Sequence, residues 1–449
     1  MKHRGRHRRR RRGRALRAAL AGTALALTAA ATMISTSQAT VADDPGALES
    51  LTSADATAPL RLTERPVPRD WLDRLSDGMG PAVPMDAVLA DADGVLREAD
   101  SCPADDRRAL PVEPEATRAY CWDGADTSGW EAGAVTTSGD ADDDGRWGRH
   151  RVILSGWSRS GPVSGGPGDA SADGSSAGAD GTTGRDGLAR VAFVDRDAAG
   201  GPSYTWVLLA VPVQEGRDYR ALASSVSGMV WYQDKLLVTA DRQDGSALYV
   251  YDIDRVQRAS VTGPSVGRVA DGWSAAGARY VLPAVGAYRT TGADAPLPGG
   301  ISLDRSTTPD SLVAHEARPE NDDDGPTRLW RYAFSVDPLR SGLLATDPAS
   351  RVDAVAAYET RLTDVRSVLS HRSGWYLGRV TGTPDERGTL WRQDTEGARP
   401  TRCGADDTHR CWSGDAGSLS YWQETGEVWS QSGRMLFALP LDSVDRSLD

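Results

Sequence analysis

Gly228-Met229-Val230-Trp231-Tyr232, Gln233-Asp234, Leu236-Leu237-Val238, Asp244-Gly245 and Ala247-Leu248-Tyr249-Val250-Tyr251 form the stretch that decides the fold class. Three apolar runs rich in aromatic and branched side chains are separated by two turn dipeptides, so the stretch reads as three hairpin-linked strands. The C-terminus repeats the pattern. Leu419-Ser420-Tyr421-Trp422 passes through Glu424-Thr425-Gly426 to Val428-Trp429, then through Ser432-Gly433 to Leu436-Phe437-Ala438-Leu439. Gly374-Trp375-Tyr376-Leu377 with Thr389-Leu390-Trp391 is a shorter copy. Strand, turn, strand, turn, strand, with adjacent aromatics in the first member, is the pattern of a propeller blade.

Outward from these copies, short strand-like runs punctuated by Gly, Asp, Asn and Pro continue from about residue 117 to the C-terminus, with few helical stretches between them. The fold class is therefore all-β: a sandwich, a barrel or a propeller. Residues 116–449, at roughly 40 to 50 residues per blade, allow five to seven blades, and the runs count as five. A large two-sheet sandwich is the competing architecture. Tyr120 to Trp122 can supply the strand that closes the ring on the last blade, which removes open sheet edges.

Before this body, residues 67–115 read as a short helical section. Trp71, Leu72 and Leu75 share a helical face, and 85–99 reads as an amphipathic helix with Val88, Leu89, Val95 and Leu96 inward. Too small to bury its own core, the section must pack on the body. Residues 40–66 have little periodicity and read as a flexible leader. Residues 160–187, almost wholly Gly, Ser, Ala, Asp, Thr and Pro, read as a disordered insertion in the first blade.

Residues 1–39 carry a dense basic run, an alanine-rich apolar stretch and Ser37-Gln38-Ala39. This is the layout of a signal peptide cut after Ala39, the alternative being an uncleaved anchor. Removing its ten Lys and Arg, with no acid lost, takes the formal charge from −12 to −22. A chain that acidic repels nucleic acid and anionic lipid, and suits a secreted or cell-envelope protein. Contact with a membrane is then expected only through an uncleaved N-terminus. Four cysteines fit the same extracytoplasmic compartment. Of the pairings they allow, the local ones are favoured: Cys102 with Cys121 and Cys403 with Cys411. Their spacing is not that of a zinc site.

Tyr120-Cys121-Trp122-Asp123, Gly133-Ala134-Val135-Thr136-Thr137, the Val230-Trp231-Tyr232 strand, Leu303-Asp304-Arg305 and Leu419-Ser420-Tyr421-Trp422 resemble segments of uncharacterised secreted β-propeller-like proteins of high-GC Gram-positive bacteria. The likeness spans most of 116–449. It implies export and a propeller fold, and it implies no activity. Where the resemblance leads one to expect a histidine-containing turn, this chain has Ser224, Ser225, Val226 and Ser227.

Asp140, Asp142 and Asp144, followed by Gly145, have the spacing of the front half of a calcium loop. Arg151 stands where a helical calcium hand needs Glu, so only a strand-to-strand calcium loop or a solvated acidic turn remains. Calcium is the one cofactor the sequence suggests. Residues 320–325 are a looser copy. His150, His315, His371 and His409 are scattered, and no nucleophile elbow is present. Fourteen tryptophans against three phenylalanines could supply sugar-stacking faces or inter-sheet packing. Three readings of function follow. The first is a non-catalytic binding module for a protein or a cell-surface glycan. The second is an extracytoplasmic propeller hydrolase with a central-funnel site, assisted by calcium. The third is a structural envelope component. Oligomeric state is not legible.

Overall fold

The computed structural model describes residues 44–160, 187–241, 245–318, 325–380, 387–403, 409–415 and 417–448. Residues 229–252 fold as their pattern dictates. Met229–Tyr232, Lys235–Thr239 and Ser246–Asp252 pair antiparallel, with Trp231 opposite Leu236 and Leu237 opposite Val250. Tyr280–Thr290 adds an outer fourth strand. Four further meanders repeat this plan. The first contains Glu131–Thr137, Val152–Ser160, Gly187–Asp195 and Ser203–Val213. The 229–290 meander is the second. The third contains Pro298–Asp304, Ser311–Glu316, Thr327–Ala333 and Ala356–Thr360. The fourth contains Val365–His371, Gly374–Arg379, Thr389–Gln393 and Ala398–Pro400. The fifth joins Leu419–Trp422, Glu427–Ser432 and Met435–Pro440 to Arg118–Cys121, from the opposite end of the chain. The segment around Tyr120 thus supplies the outer strand of the last meander, as expected.

The fold is mostly β-strand. The outer strands of the first two meanders pair in parallel, from Tyr280 opposite Val207 to Pro283 opposite Ala210. Eight strands therefore form one continuous path, and its two end strands lie against each other, giving a nearly closed, barrel-like sheet. The innermost strands of all five meanders also adjoin in a cycle, each touching the next and the fifth touching the first.

Side chains alternate across each strand, so every meander has two apolar faces, and each face packs on a neighbour. Trp231 and Leu236 pack toward the first meander, together with Leu154 and Phe193. Val230 and Leu237 point the other way, onto Ile301 and Leu312 of the third. Val313 and Leu329 meet Trp375 and Trp391 between the third and fourth. Leu369 and Tyr376 meet Val428 and Phe437 between the fourth and fifth. Between the fifth and first, Trp422 and Trp429 pack with Trp122, Trp157 and Trp206. The tryptophans are thus largely inter-sheet packing. In Trp231-Tyr232 and Trp375-Tyr376 both rings are buried, and in Tyr421-Trp422 only Tyr421 reaches the surface.

The segment 44–66, read from sequence as a flexible leader, is instead ordered along the outer edges of the body. Leu48 N–H donates to the Asp394 carbonyl of the fourth meander at 2.8 Å. Glu49–Ser50 pairs with the outer strand of the third, and Leu62–Pro66 pairs with that of the second. Gly94–Val95 then adds to the first and Arg97–Glu98 to the fifth. The N-terminal segment is a belt that visits every meander and covers edges that would otherwise invite pairing with other chains. The helical section is smaller than expected. Arg69–Met79 forms, with Leu72 and Leu75 buried. The second helix, Met85–Ala90, ends well before 99 because Asp91 and Asp93 turn aside to bond Arg258, Tyr280 and Arg279. Val88, Leu89 and Leu96 are buried, whereas Val95 is 52% exposed.

Both disulfides form with the local pairing, Cys102–Cys121 and Cys403–Cys411, as fits an oxidising compartment. Cys102–Cys121 fastens the end of the belt to the closing strand. No helix among the described residues is long and apolar enough to cross a membrane. Residues 1–39, read from sequence as a signal peptide, the greater part of the 160–187 insertion and most of the 320–325 loop lie outside the described residues.

Candidate functional site

The innermost strands run in the same direction, so their first residues gather at one end of the cycle and their last at the other. At the first end lies a cavity of about 1080 Å³ lined by residues of all five meanders. Glycines let the innermost strands approach closely along its wall. A side chain on Gly133 would run into the Val226 carbonyl, and one on Gly417 into the Gly133 carbonyl, so neighbouring backbones touch just inside the mouth.

Each meander contributes one carboxylate to the lining: Glu131, Asp241, Glu316, Asp364 and Asp415. Asp241 accepts bonds from the Ser225 backbone N–H at 2.7 Å and the Ser225 hydroxyl at 2.8 Å. Glu316 pairs with Arg328 at 3.6 Å. Asp364 accepts a hydrogen bond from the Thr363 hydroxyl at 3.3 Å. Glu131, Asp364 and Asp415 form no ion pair among the described residues. Three arginines share the lining. Arg434 is held by Asp106 at 2.7 Å, the Arg318 guanidinium donates to the Pro326 carbonyl at 3.0 Å, and Arg366 is exposed beside Val365.

His315 belongs to the same wall and is 2% exposed. Its Nδ1–H donates to the Glu316 carbonyl at 3.0 Å, and the Arg366 backbone also bonds the buried ring. Burial pushes the imidazole down to about 4, so it is neutral at ordinary pH.

The far end is stoppered. After Thr137 the chain makes the short helix Ser138–Ala141, which is tied to three other meanders. The Gln233 N–H donates to the Ala141 carbonyl at 3.0 Å. The Arg305 guanidinium donates to the Asp140 carbonyl at 2.6 Å. The hydroxyls of Thr136 and Ser420 donate to Asp140 Oδ2 at 2.7 and 2.8 Å. The result is a blind funnel.

The three aspartates of the calcium motif are therefore placed differently from one another. Asp140 is turned inward to the stopper. Asp142 Oδ1 accepts from the Asp144 N–H at 3.4 Å, and Asp144 Oδ1 accepts from the Arg146 N–H at 2.8 Å. Among the described residues no three His, Cys, Asp or Glu side chains gather closely enough to hold a metal ion. The other histidines stand apart from the funnel. His150 bonds Asp195 at 2.9 Å, His371 packs on the Tyr421 ring at 4.8 Å, and His409 lies 6.4 Å from the Trp391 ring.

Sequence reading missed the carboxylate ring. A signal was there, since Glu131, Asp364 and Asp415 each begin or shortly precede an innermost strand. No family model and no curated protein matches the chain.

Proposed function

We propose that the five meanders are the blades of a five-bladed β-propeller, exported from the cell, whose central funnel binds a fragment of cell-surface glycan without turning it over. The cycle of innermost strands and the inter-meander packing on both faces support the propeller. Basic and apolar runs in 1–39, with two disulfides, support export.

The observation that carries the binding reading is the blind funnel itself. It is concave, lined by all five meanders, and offers hydroxyls at Ser158, Ser225 and Thr363 beside carboxylates that can accept from sugar hydroxyls. A protein partner would be met by a flatter surface. The acidity of the mature chain and of the mouth disfavours nucleic acid.

The test is thermal unfolding and titration calorimetry against soluble wall glycans, with a Ser158→Trp variant that fills the mouth. A ligand that binds the folded state raises the melting temperature by mass action. A shift present in the native chain and absent in Ser158→Trp is the expected result, and a flat response to every glycan would sink the reading. The ring of carboxylates also favours a second reading, a glycoside hydrolase, because such enzymes work with two carboxyl groups. Release of reducing ends from a bound glycan would replace binding with hydrolysis.

A further inference from the structure

We propose that the tryptophan cluster between the fifth and first meanders is a one-electron relay that ends at Tyr204, with Asp126 taking the proton. An oxidising equivalent delivered to the cluster by a radical is drained to one hydrogen-bonded phenol. This stands independently of the glycan reading.

The cluster is continuous. Centroid to centroid, the Trp122 ring lies 5.4 Å from Trp157, 5.5 Å from Trp206 and 4.9 Å from Tyr204. Trp206 also meets Tyr204, at 5.4 Å. Rings at this spacing touch by edge or face, so an electron passes between them without crossing saturated structure. Trp157 lines the funnel, which brings the cluster to the cavity wall.

The polar ends of these rings set the direction. An indole offers only its Nε1–H, and in Trp122 and Trp206 that group is buried with no acceptor. After losing an electron these two rings keep their proton and stay strongly oxidising radical cations. Trp157 has only the Ser155 hydroxyl, a poor base, at 2.9 Å. The Arg190 guanidinium, 3.5 Å from the Trp206 centroid, repels a second positive charge there. Tyr204 differs from all of them. Its hydroxyl donates to Asp126 Oδ2 at 2.5 Å, close enough for direct proton transfer. The tyrosine is 1% exposed, whereas Asp126 is at the surface. Burial, reinforced by Asp126, holds the phenol well above its usual range, so the proton leaves only when the electron does. Tyr232, Tyr280 and Tyr376 also donate to aspartates, and Tyr219 stacks on Trp273 but donates to a backbone carbonyl. Among the described residues Tyr204 alone combines a carboxylate partner with ring contacts to tryptophan. The step balances. A tryptophan radical cation gains the electron that Tyr204 gives up, the phenolic proton moves to Asp126, and a neutral tyrosyl radical remains. A thiolate in solution, becoming a thiyl radical, returns the electron, and Asp126 returns the proton.

Pulse radiolysis of the purified chain with the azidyl radical, a one-electron oxidant that becomes azide as it oxidises tryptophan, tests this. The indolyl absorption should decay as a tyrosyl absorption grows, and more slowly in heavy water because a proton moves. Tyr204→Phe keeps the ring and should lose this tyrosyl phase. Asp126→Asn, at an exposed position, should slow the phase several-fold at an unchanged melting temperature. Tyr280→Phe, which removes a phenol bonded to Asp91 instead, should leave the phase as it is in the native chain. A persistent indolyl signal with no tyrosyl growth would overturn the relay. An equal tyrosyl phase in Tyr204→Phe would overturn its end point, and a rate unmoved by both Asp126→Asn and heavy water would overturn the proton transfer to Asp126.

Discussion

The Ser420 hydroxyl donates to Asp140 Oδ2 at 2.8 Å, and this bond joins the last meander of the chain to the first. The carboxyl that receives it is wholly buried, and burial pushes it from 3.8 up to about 6, against the pull of the Thr136 and Ser420 hydroxyls. Because the folded value lies above the unfolded one, its contribution to stability is fully present below about pH 3.8 and is lost as pH rises through about 6. The whole effect is on the order of 3 kcal/mol. His315 works in the opposite sense. Its imidazole is held down at about 4, so its contribution is complete above pH 6.5 and is lost as pH falls towards 4. The two trends offset each other in the native chain, and a difference measurement separates them. Relative to the native chain, Asp140→Asn should gain stability as pH rises from about 4.5 to about 7.5. Denaturant melts at three pH values check this, and a difference that stays flat would show that Asp140 does not titrate in that window.

Cys102–Cys121 fastens the belt to the strand that closes the fifth meander, and its sequence separation is 19. Replacing both cysteines with alanine should cost about 3 kcal/mol by chain entropy. Cys403–Cys411, with a separation of 8, should cost slightly less, about 2.5 kcal/mol. The larger difference should lie in local opening. Losing the first disulfide should speed hydrogen exchange in Arg118–Cys121, and losing the second should not. Exchange mass spectrometry of the two double variants decides between them.

How much of this was legible depends on where each residue's constraint originates. Val230 and Trp231 could be read as opposite faces of one strand, because the period of two is a property of the strand itself. The turn at Ser432-Gly433 was legible for the same local reason. Leu62 and Thr63 could not be read as a strand, since their pairing is imposed by the exposed edge of 286–290. Val95 was expected to face inward on a helix. Asp91 and Asp93 are drawn to Arg258 and Arg279 from a distant strand, and the helix stops. The site was hidden for a third reason. Glu131 and Asp415 look like any of 63 acidic residues until five loops bring them to one rim.

The belt makes a prediction of its own. Leu62 is 2% exposed, and its strand is held between 286–290 and Arg351–Val352. Truncation to alanine should leave a cavity and cost about 2 to 4 kcal/mol, far more than a substitution in a mobile leader. A melting temperature within a degree of the native value in Leu62→Ala would mean that the segment is not docked in solution.

The placement of the acidic loop leads to a last expectation, about calcium. Calcium takes six or more oxygens around one point. Asp140 spends its carboxylate on two hydroxyls inside the stopper, and Asp142 and Asp144 each bond a nearby backbone N–H. Asp143 is engaged as well, by Arg305. Bringing Asp140 out to an ion would break one of the hydrogen bonds between the first and fifth meanders, so the stopper competes with the metal for the same side chain. Calcium added after EGTA treatment should therefore leave the melting temperature unmoved. A calcium-dependent rise that disappears in Asp142→Ala would instead establish the loop as a metal site, and would require the stopper to rearrange when the ion binds.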